Sequence, residues 1–148
     1  MSSREIQILL VEDNPGDVRL TVEALKEVTE QVELSVAHNG VEALAFLERE
    51  GRFAESPRPD LILLDLNLPI LSGMDVLARI KSDPRFKHIP VAVLSTSSSQ
   101  VDIDRSYGQH ANCYLTKPVD LDSFVALVRK LDQFWTSAVE LPSGNRYE

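Results

Sequence analysis

The stretch Leu61-Ile62-Leu63-Leu64-Asp65 is a run of apolar residues that ends in a single acid. A short, unbroken apolar run is typical of a strand that is covered on both faces, as in a parallel sheet. The acid falls at the point where such a strand would leave the core. In an open parallel sheet the carboxyl ends of the strands meet along one edge, where ligands bind. The stretch therefore predicts a central strand with Asp65 at a functional edge.

The same alternation of strand and helix patterns continues along the chain. Apolar runs predict further strands at 6–11, 32–37, 91–94 and 111–115. Helical spacing of apolar residues predicts helices at 18–28, 41–47, 72–81 and 121–135, with a weaker one after the serines at 97–99. Five strand–helix units imply right-handed crossovers and an α/β, doubly wound parallel sheet.

Composition limits the classes of protein to consider. The chain has 148 residues, of which 43% are hydrophobic, and this is enough for one soluble domain with a real core. The net charge of −8 argues against binding to nucleic acid or to an anionic membrane surface. No apolar run approaches the roughly 18 residues of a membrane span, and the N-terminus lacks a secretory pattern. We expect a cytoplasmic protein in which the single Cys113 acts as a small hydrophobic residue.

Polar residues with complementary chemistry follow the predicted strands. They are Glu12 and Asp13 after the first, Asp65 after the third, Ser95 and Thr96 after the fourth, and Tyr114 and Lys117 in and after the fifth. Taken alone, the acidic pair fits the start of a helix and Asp65 fits a turn. Carboxylates brought this close would repel one another, and a bound Mg²⁺ would relieve that repulsion. Together with the lysine they predict a site for a hard cation and a phosphoryl group.

These residues resemble the receiver domain of two-component response regulators, the chemotaxis-receiver type of flavodoxin-like fold. The resemblance covers residues 6–132 and implies a five-stranded parallel sheet of order 2-1-3-4-5 with five helices. It implies a receiver domain at 1–133 in which Asp65 accepts a phosphoryl group from a sensor histidine kinase. The turn Leu68-Pro69 and Gly73 match the family's turn after the acceptor strand.

The resemblance also implies the metal site. Asp13 and Asp65 would bind Mg²⁺ directly, and Glu12 mostly through water. The backbone carbonyl of Asn67, two residues past the acceptor, would complete the shell. The pair Glu12-Asp13 departs slightly from the Asp-Asp that is common in the family, which lengthens the reach and keeps the charge.

The switch residues are implied in the same way. Ser95, followed by Thr96, matches the hydroxyl that binds the phosphoryl group, Lys117 matches the phosphate-binding lysine, and Tyr114 matches the switch aromatic residue. Their movement would change the surface of the fourth helix and fifth strand. The bond between Lys117 and Pro118 is a candidate cis peptide, because proline lowers the preference for trans to about 1 kcal/mol.

Residues 134–148 are expected to be a C-terminal extension without an output domain. The protein would then signal by binding another protein or by passing the phosphoryl group on. The segment at 57–60, the segment at 112–115 and the Phe134-Trp135 pair resemble single-domain regulators that are paired with bacterial and cyanobacterial phytochromes. This resemblance implies a phytochrome-type histidine kinase as the donor.

The pair Phe134-Trp135 also bears on assembly. Adjacent residues of a helix point about 100° apart, so both side chains cannot face the protein's own sheet equally. Either the tail packs back on its own domain or a second subunit covers it. We expect a homodimer through the fourth helix, the fifth helix and the tail.

Two rival functions remain. An aspartyl-phosphate phosphatase of the haloacid-dehalogenase type would share the nucleophile, hydroxyl, lysine and acids. It would need Asp-x-Asp, whereas this chain has Asp65-Leu66-Asn67 and lacks the second acid. A receiver fold that serves only as an adaptor, without phosphorylation, would not need the intact site. We expect a phosphoacceptor signalling domain rather than an enzyme.

Overall fold

The computed structural model describes residues 6–28 and 31–133. Its strands are β1 (Ile6–Val11), β2 (Val32–Ala37), β3 (Leu61–Leu64), β4 (Val91–Ser95) and β5 (Cys113–Thr116). Its α-helices are α1 (Pro15–Val28), α2 (Gly40–Glu48), α3 (Gly73–Ser82), α4 (Gln100–Gly108) and α5 (Leu121–Gln133), with a short 3₁₀ turn at Gly51–Phe53. The predicted strands and helices are thus all present, with ends shifted by one or two residues in most cases.

The strands form one parallel sheet in the order β2-β1-β3-β4-β5. This confirms the predicted fold class. The register pairs Val11 of β1 with Leu64 of β3. The next residues, Glu12 and Asp65, therefore leave two adjacent strands at the same level, and the Asp65 N–H still bonds to the Val11 carbonyl at 3.0 Å. The sheet register alone brings these two acids side by side.

Each face of the sheet is covered by its own pair of helices. Successive side chains of a strand point to opposite faces. Leu9, Val11, Ile62 and Leu64 pack with residues of α2 and α3 on one face, and Ile8, Leu10, Leu61 and Leu63 pack with residues of α1 and α5 on the other. All four residues of β3 are buried, as the unbroken apolar run predicts. Asp65 therefore follows a strand that is buried along its whole length.

Helix α4 differs from the others in how little of it is buried. Ser106 is its one fully buried residue, and Val101 and Tyr107 are exposed. It begins after Ser99 without a side-chain cap, whereas Asn39 caps α2 and Ser72 caps α3 through their side-chain oxygens. Few buried apolar contacts permit easier local opening. Among the described helices, α4 is the one most easily displaced.

The C-terminal predictions meet the structure only in part. Phe124 and Val128, which repeat at helical spacing in α5, are buried, but Leu121 is 36% exposed. Leu121 is the first residue of the helix, so it lies at the edge of the buried stripe rather than within it. Phe134 and Trp135 lie outside the described residues, and the homodimer stays a prediction. No helix within residues 6–28 and 31–133 has the length and apolar character required to cross a membrane.

Candidate phosphoacceptor site

The three predicted metal-binding acids meet at the carboxyl edge of the sheet. One carboxylate oxygen from each of Glu12, Asp13 and Asp65 lies within 4.8 Å of the other two. Glu12 and Asp65 are buried, whereas Asp13 is exposed. Oxygen ligands of this kind suit hard divalent cations such as Mg²⁺ and Mn²⁺. The cluster therefore has the donor atoms and the open side that such an ion requires.

Lys117 contacts two acids of this cluster, Glu12 and Asp65, and one further acid, Asp17. Its Nζ is 2.6 Å from Oε1 of Glu12, 2.9 Å from Oδ2 of Asp17 and 3.4 Å from Oδ2 of Asp65. The lysine is buried, and its backbone N–H donates to the carbonyl of Ser95 at 2.6 Å, which continues the pairing with β4 one residue past the end of β5. A buried ammonium needs such partners, because an unpaired charge is costly to remove from water.

The electrostatics of the cluster follow from burial and from these contacts. Burial and the neighbouring Asp65 raise the pKa of Glu12 to about 7, against the opposing effect of Lys117. Burial works against the charged form of Lys117, but hydrogen bonds to Glu12 and Asp17 and the nearby negative charges raise the pKa of Lys117 overall. The lysine therefore stays protonated and supplies a fixed positive charge beside Asp65.

A cleft of about 380 Å³ opens in front of the cluster. It is lined by Asp13, Asn14, Pro15, Asp17, Asp65, Asn67, Thr96 and Lys117. Asn67 is exposed, and its N–H donates to Oδ1 of Asp65 at 3.1 Å. The two oxygens of Asp65 thus have different neighbours, an amide for Oδ1 and Lys117 for Oδ2.

The two hydroxyl residues after β4 occupy different places. Thr96 is exposed and lines the cleft, whereas Ser95 is fully buried and does not. The Ser95 Oγ accepts the N–H of Ser97 at 3.1 Å. Thr96 therefore borders the cleft, and Ser95 is engaged with the loop that follows.

Tyr114 is tied to the same loop. Its hydroxyl donates to the carbonyl of Ser97 at 2.7 Å, and its backbone N–H donates to the hydroxyl of Tyr107 on α4 at 3.2 Å. The ring is partly buried against the core on the α2–α3 face. Tyr114 therefore connects β5 both to the β4–α4 loop and to α4. No local sequence pattern indicates this contact between Tyr107 and β5.

The candidate cis peptide before Pro118 does not occur in the structure. Among residues 6–28 and 31–133 all peptide bonds are trans, including that between Lys117 and Pro118. The trans isomer is favoured by roughly 0.5–1 kcal/mol at such bonds. With this trans bond, Lys117 contacts the carboxylates of Glu12, Asp17 and Asp65.

Asp17 is the residue of the site that the sequence does not single out. The distance of 100 positions between Asp17 and Lys117 leaves no local signal of their contact. One clue exists. A residue in the first turn of a helix that follows a strand lies near the carboxyl edge of the sheet.

Gly73 holds the loop that carries Asp65. Its N–H donates to the carbonyl of Leu66 at 3.1 Å. A Cβ at this position would lie 2.6 Å from the Cα of Leu66 and closer still to the carbonyl oxygen of Asp65. Both neighbours are backbone atoms, so neither can move aside easily. Glycine is required here for the close approach of α3 to the acceptor segment.

The fold and this site together define the class of protein. The chain belongs to the response regulator receiver domain family, whose model matches residues 8–129. Response regulator Rcp1 from Synechocystis sp. is 48% identical over 137 residues, which cover 93% of this chain and 93% of Rcp1.

Two solved structures extend the comparison. The crystal structure of the phosphorylated cyanobacterial phytochrome response regulator RcpA is similar with a TM-score of 0.88 at 50% identity, covering 94% of this chain and 99% of RcpA. The Mn²⁺-bound form of Rcp1 is similar with a TM-score of 0.86 at 48% identity, covering 93% and 99% of the two chains. The chain is thus related to phytochrome response regulators over nearly its whole length.

We predict that Gly73→Ala destabilises the protein by roughly 1–3 kcal/mol, because the added methyl group forces backbone atoms apart. Urea unfolding measures the change. Gly108→Ala is the matched control, since a Cβ there meets nothing within 4 Å. It should leave the free energy of unfolding unchanged or slightly raised. Equal effects of the two variants would contradict a special role for Gly73.

Proposed function

We propose that this protein is a response regulator that accepts a phosphoryl group from a sensor histidine kinase on Asp65. The observation that carries the proposal is the meeting of Asp65, Lys117 and the acidic pair at one open cleft. A carboxylate is a competent nucleophile for phosphoryl transfer. Membership of the receiver family supports this assignment.

In the proposed reaction a carboxylate oxygen of Asp65 attacks the phosphorus of a phosphohistidine. A P–O bond forms as the P–N bond breaks, and the imidazole nitrogen leaves with the bonding electrons. The product is an acyl phosphate with roughly −1.5 to −2 charge and three acceptor oxygens. Lys117 would neutralise part of this charge, and the hydroxyl of Ser95, with Thr96 beside it, would donate a hydrogen bond to the transferred group.

The cation in this proposal is Mg²⁺. Glu12, Asp13 and Asp65 would hold it, with the backbone carbonyl of Asn67 as a further ligand. When bound, the ion neutralises charge on the phosphoryl oxygens during transfer. The Mn²⁺-bound form of Rcp1 supports divalent binding at a related site. The oxygen-only donor set of the three acids fits either ion.

The rival functions have less support. A haloacid-dehalogenase-type phosphatase needs an acid two residues after its nucleophile, and this position is Asn67, whose N–H bonds back to Asp65. An unphosphorylated adaptor has no need of an open acidic cleft in front of Asp65 and Lys117. The chain is a signalling acceptor in our proposal, and its own chemistry is limited to phosphotransfer and loss of the phosphoryl group.

We predict that Asp65→Asn abolishes labelling of the protein by acetyl phosphate and Mg²⁺, because the amide is not a nucleophile for phosphorus. Borohydride reduction followed by mass spectrometry locates the label. Chelation of Mg²⁺ should also prevent labelling. The matched control is Asp75→Asn, an exposed carboxylate on α3, which should be labelled like the wild type. Wild-type labelling of Asp65→Asn would refute the assignment.

The donor in this proposal is a phytochrome-type histidine kinase. The similarity to RcpA and Rcp1 supports it. Two exposed apolar residues flank the site: Ile70 in the β3–α3 loop is 84% exposed, and Val119 in the β5–α5 loop is 90% exposed. Both loops start at the carboxyl edge, beside Asp65 and Lys117. We propose that Ile70 and Val119 contact the kinase, which acts in the cytoplasm.

We predict that the double variant Ile70→Ser and Val119→Ser slows phosphotransfer from a purified phytochrome-type kinase by about tenfold, since contacts with the kinase would be lost. Labelling by acetyl phosphate should not change, because the chemical groups are intact. Val101→Ser is the matched control, an exposed valine on α4. If transfer from the kinase were as fast as with wild type, these two residues would have no part in docking.

The output in this proposal is the surface formed by α4 and β5. Ser97 connects the site to this surface, since its N–H donates to Ser95 and its carbonyl accepts from Tyr114. A phosphoryl group that draws the hydroxyls of Ser95 or Thr96 toward Asp65 would break this connection. The lightly buried α4 would then move. A homodimer through α4, α5 and the tail would be formed on the same side of the molecule.

We predict that Tyr114→Phe speeds amide exchange of the β4–α4 loop in the unphosphorylated protein, because the loop loses the hydroxyl that bonds to Ser97. Phosphorylation should then change the exchange rates of residues 97–108 less than it does in wild type. Tyr107→Phe is the control on the same surface, and it should affect β5 and not the loop. Identical exchange in wild type and Tyr114→Phe would show that Tyr114 does not connect β5 to the β4–α4 loop.

A further inference from the structure

Asp17 makes a contact that the proposed function does not yet use. Its Oδ2 lies 2.9 Å from the Nζ of Lys117, and its side chain is 26% exposed. It also lines the cleft in front of Asp65. Asp17 is thus placed between the solvent and the lysine that neutralises Asp65.

The start of α1 determines this position. Asn14 caps the helix, and its Oδ1 accepts the N–H of Asp17 at 3.1 Å. In a capping box the residue at the Asp17 position returns this bond by accepting the N–H of the cap residue. Here Oε2 of Glu12 accepts the N–H of Asn14 at 3.2 Å instead. The carboxylate of Asp17 is therefore left to reach across the cleft to Lys117.

The ammonium of Lys117 has three N–H donors. Its three carboxylate partners are Glu12 at 2.6 Å, Asp17 at 2.9 Å and Asp65 at 3.4 Å. Asp65 is the most distant of the three. A phosphoryl group on Asp65 would bring three more acceptor oxygens to an ammonium whose donors are already engaged. It would compete with the present partners for these donors, and Asp17 is the most exposed of those partners.

We propose that Asp17 is a positioning residue that holds Lys117 in the unphosphorylated state and competes with the phosphoryl group for it. This rests on the proposed phosphorylation of Asp65. The charge of Asp17 lies on the same cleft as Asp13 and Asp65. It attracts a cation and repels a phosphoryl group. Asp17 thus favours the metal-bound, unphosphorylated state and shortens the life of the phosphorylated one.

The test uses Asp17→Asn, which keeps the shape and removes the charge. Calorimetric titration gives the dissociation constants of Mg²⁺ alone and of beryllofluoride, a phosphoryl mimic, at saturating Mg²⁺. We expect Mg²⁺ to bind about threefold more weakly and beryllofluoride about tenfold more tightly than in wild type. The half-life of the acyl phosphate should lengthen. If the role of Asp17 were merely structural, the variant would bind both Mg²⁺ and beryllofluoride more weakly than wild type.

The matched control is Asp75→Asn. Asp75 occupies the equivalent position of α3, where its N–H donates to the cap residue Ser72, but it does not line the cleft. This variant should bind both ligands like wild type. Asp17→Ser, which also suits the first turn of a helix, serves as a second variant if Asp17→Asn folds poorly; circular dichroism checks both.

Each outcome has one meaning. Opposite shifts for Mg²⁺ and beryllofluoride in the Asp17 variants support the inference. Unchanged binding, or weaker binding of both ligands by a folded variant, overturns it. Wild type that binds neither beryllofluoride nor acetyl phosphate overturns the proposed function itself, independently of Asp17.

Discussion

The buried ammonium of Lys117 is the interaction on which the carboxyl edge of this protein depends. It joins the end of β5 to carboxylates that follow β1, begin α1 and follow β3. Removing one partner from a buried ion pair typically costs 3–5 kcal/mol, because the remaining charge stays out of water. The same attraction therefore positions the chemical groups and ties four elements together. Several carboxylates can lie close together at this edge of the sheet because the positive charge of Lys117 offsets their mutual repulsion.

The surroundings of this edge combine a firmly held acceptor with a lightly held helix. Asp65 follows a fully buried strand, and Gly73 packs against its backbone. Beyond the cleft, α4 has a single buried residue and is joined to the site through Ser97 and Tyr114. Regions with few buried contacts open at low free energy. This contrast suits the proposed signalling role, in which a charge added at a fixed point changes the position of a movable surface.

Much of this arrangement could be predicted from the sequence. Apolar runs and helical periodicity are local patterns, and they locate all five strands and the order of elements along the chain. Parallel strands share one functional edge, so Glu12, Asp13 and Asp65 were expected to meet, and they do. The features that the sequence pattern does not determine concern finer geometry. Leu121 is more exposed than its spacing indicates, and Pro118 follows a trans bond. Both depend on packing that a one-dimensional pattern does not contain.

The sequence by itself determined which segments are strands and helices, and which acids and lysine end at the carboxyl edge. Which of these groups hydrogen-bond to one another depends on the tertiary structure. Glu12 accepts the N–H of Asn14, so the carboxylate of Asp17 is not needed there. Asp17 can therefore pair with Lys117, which is 100 positions away in the sequence. The burial of Ser95 and the exposure of Thr96 are decided in the same way. Periodicity depends only on near neighbours in the chain, whereas the choice among competing hydrogen-bond partners depends on differences of less than 1 Å between elements distant in sequence.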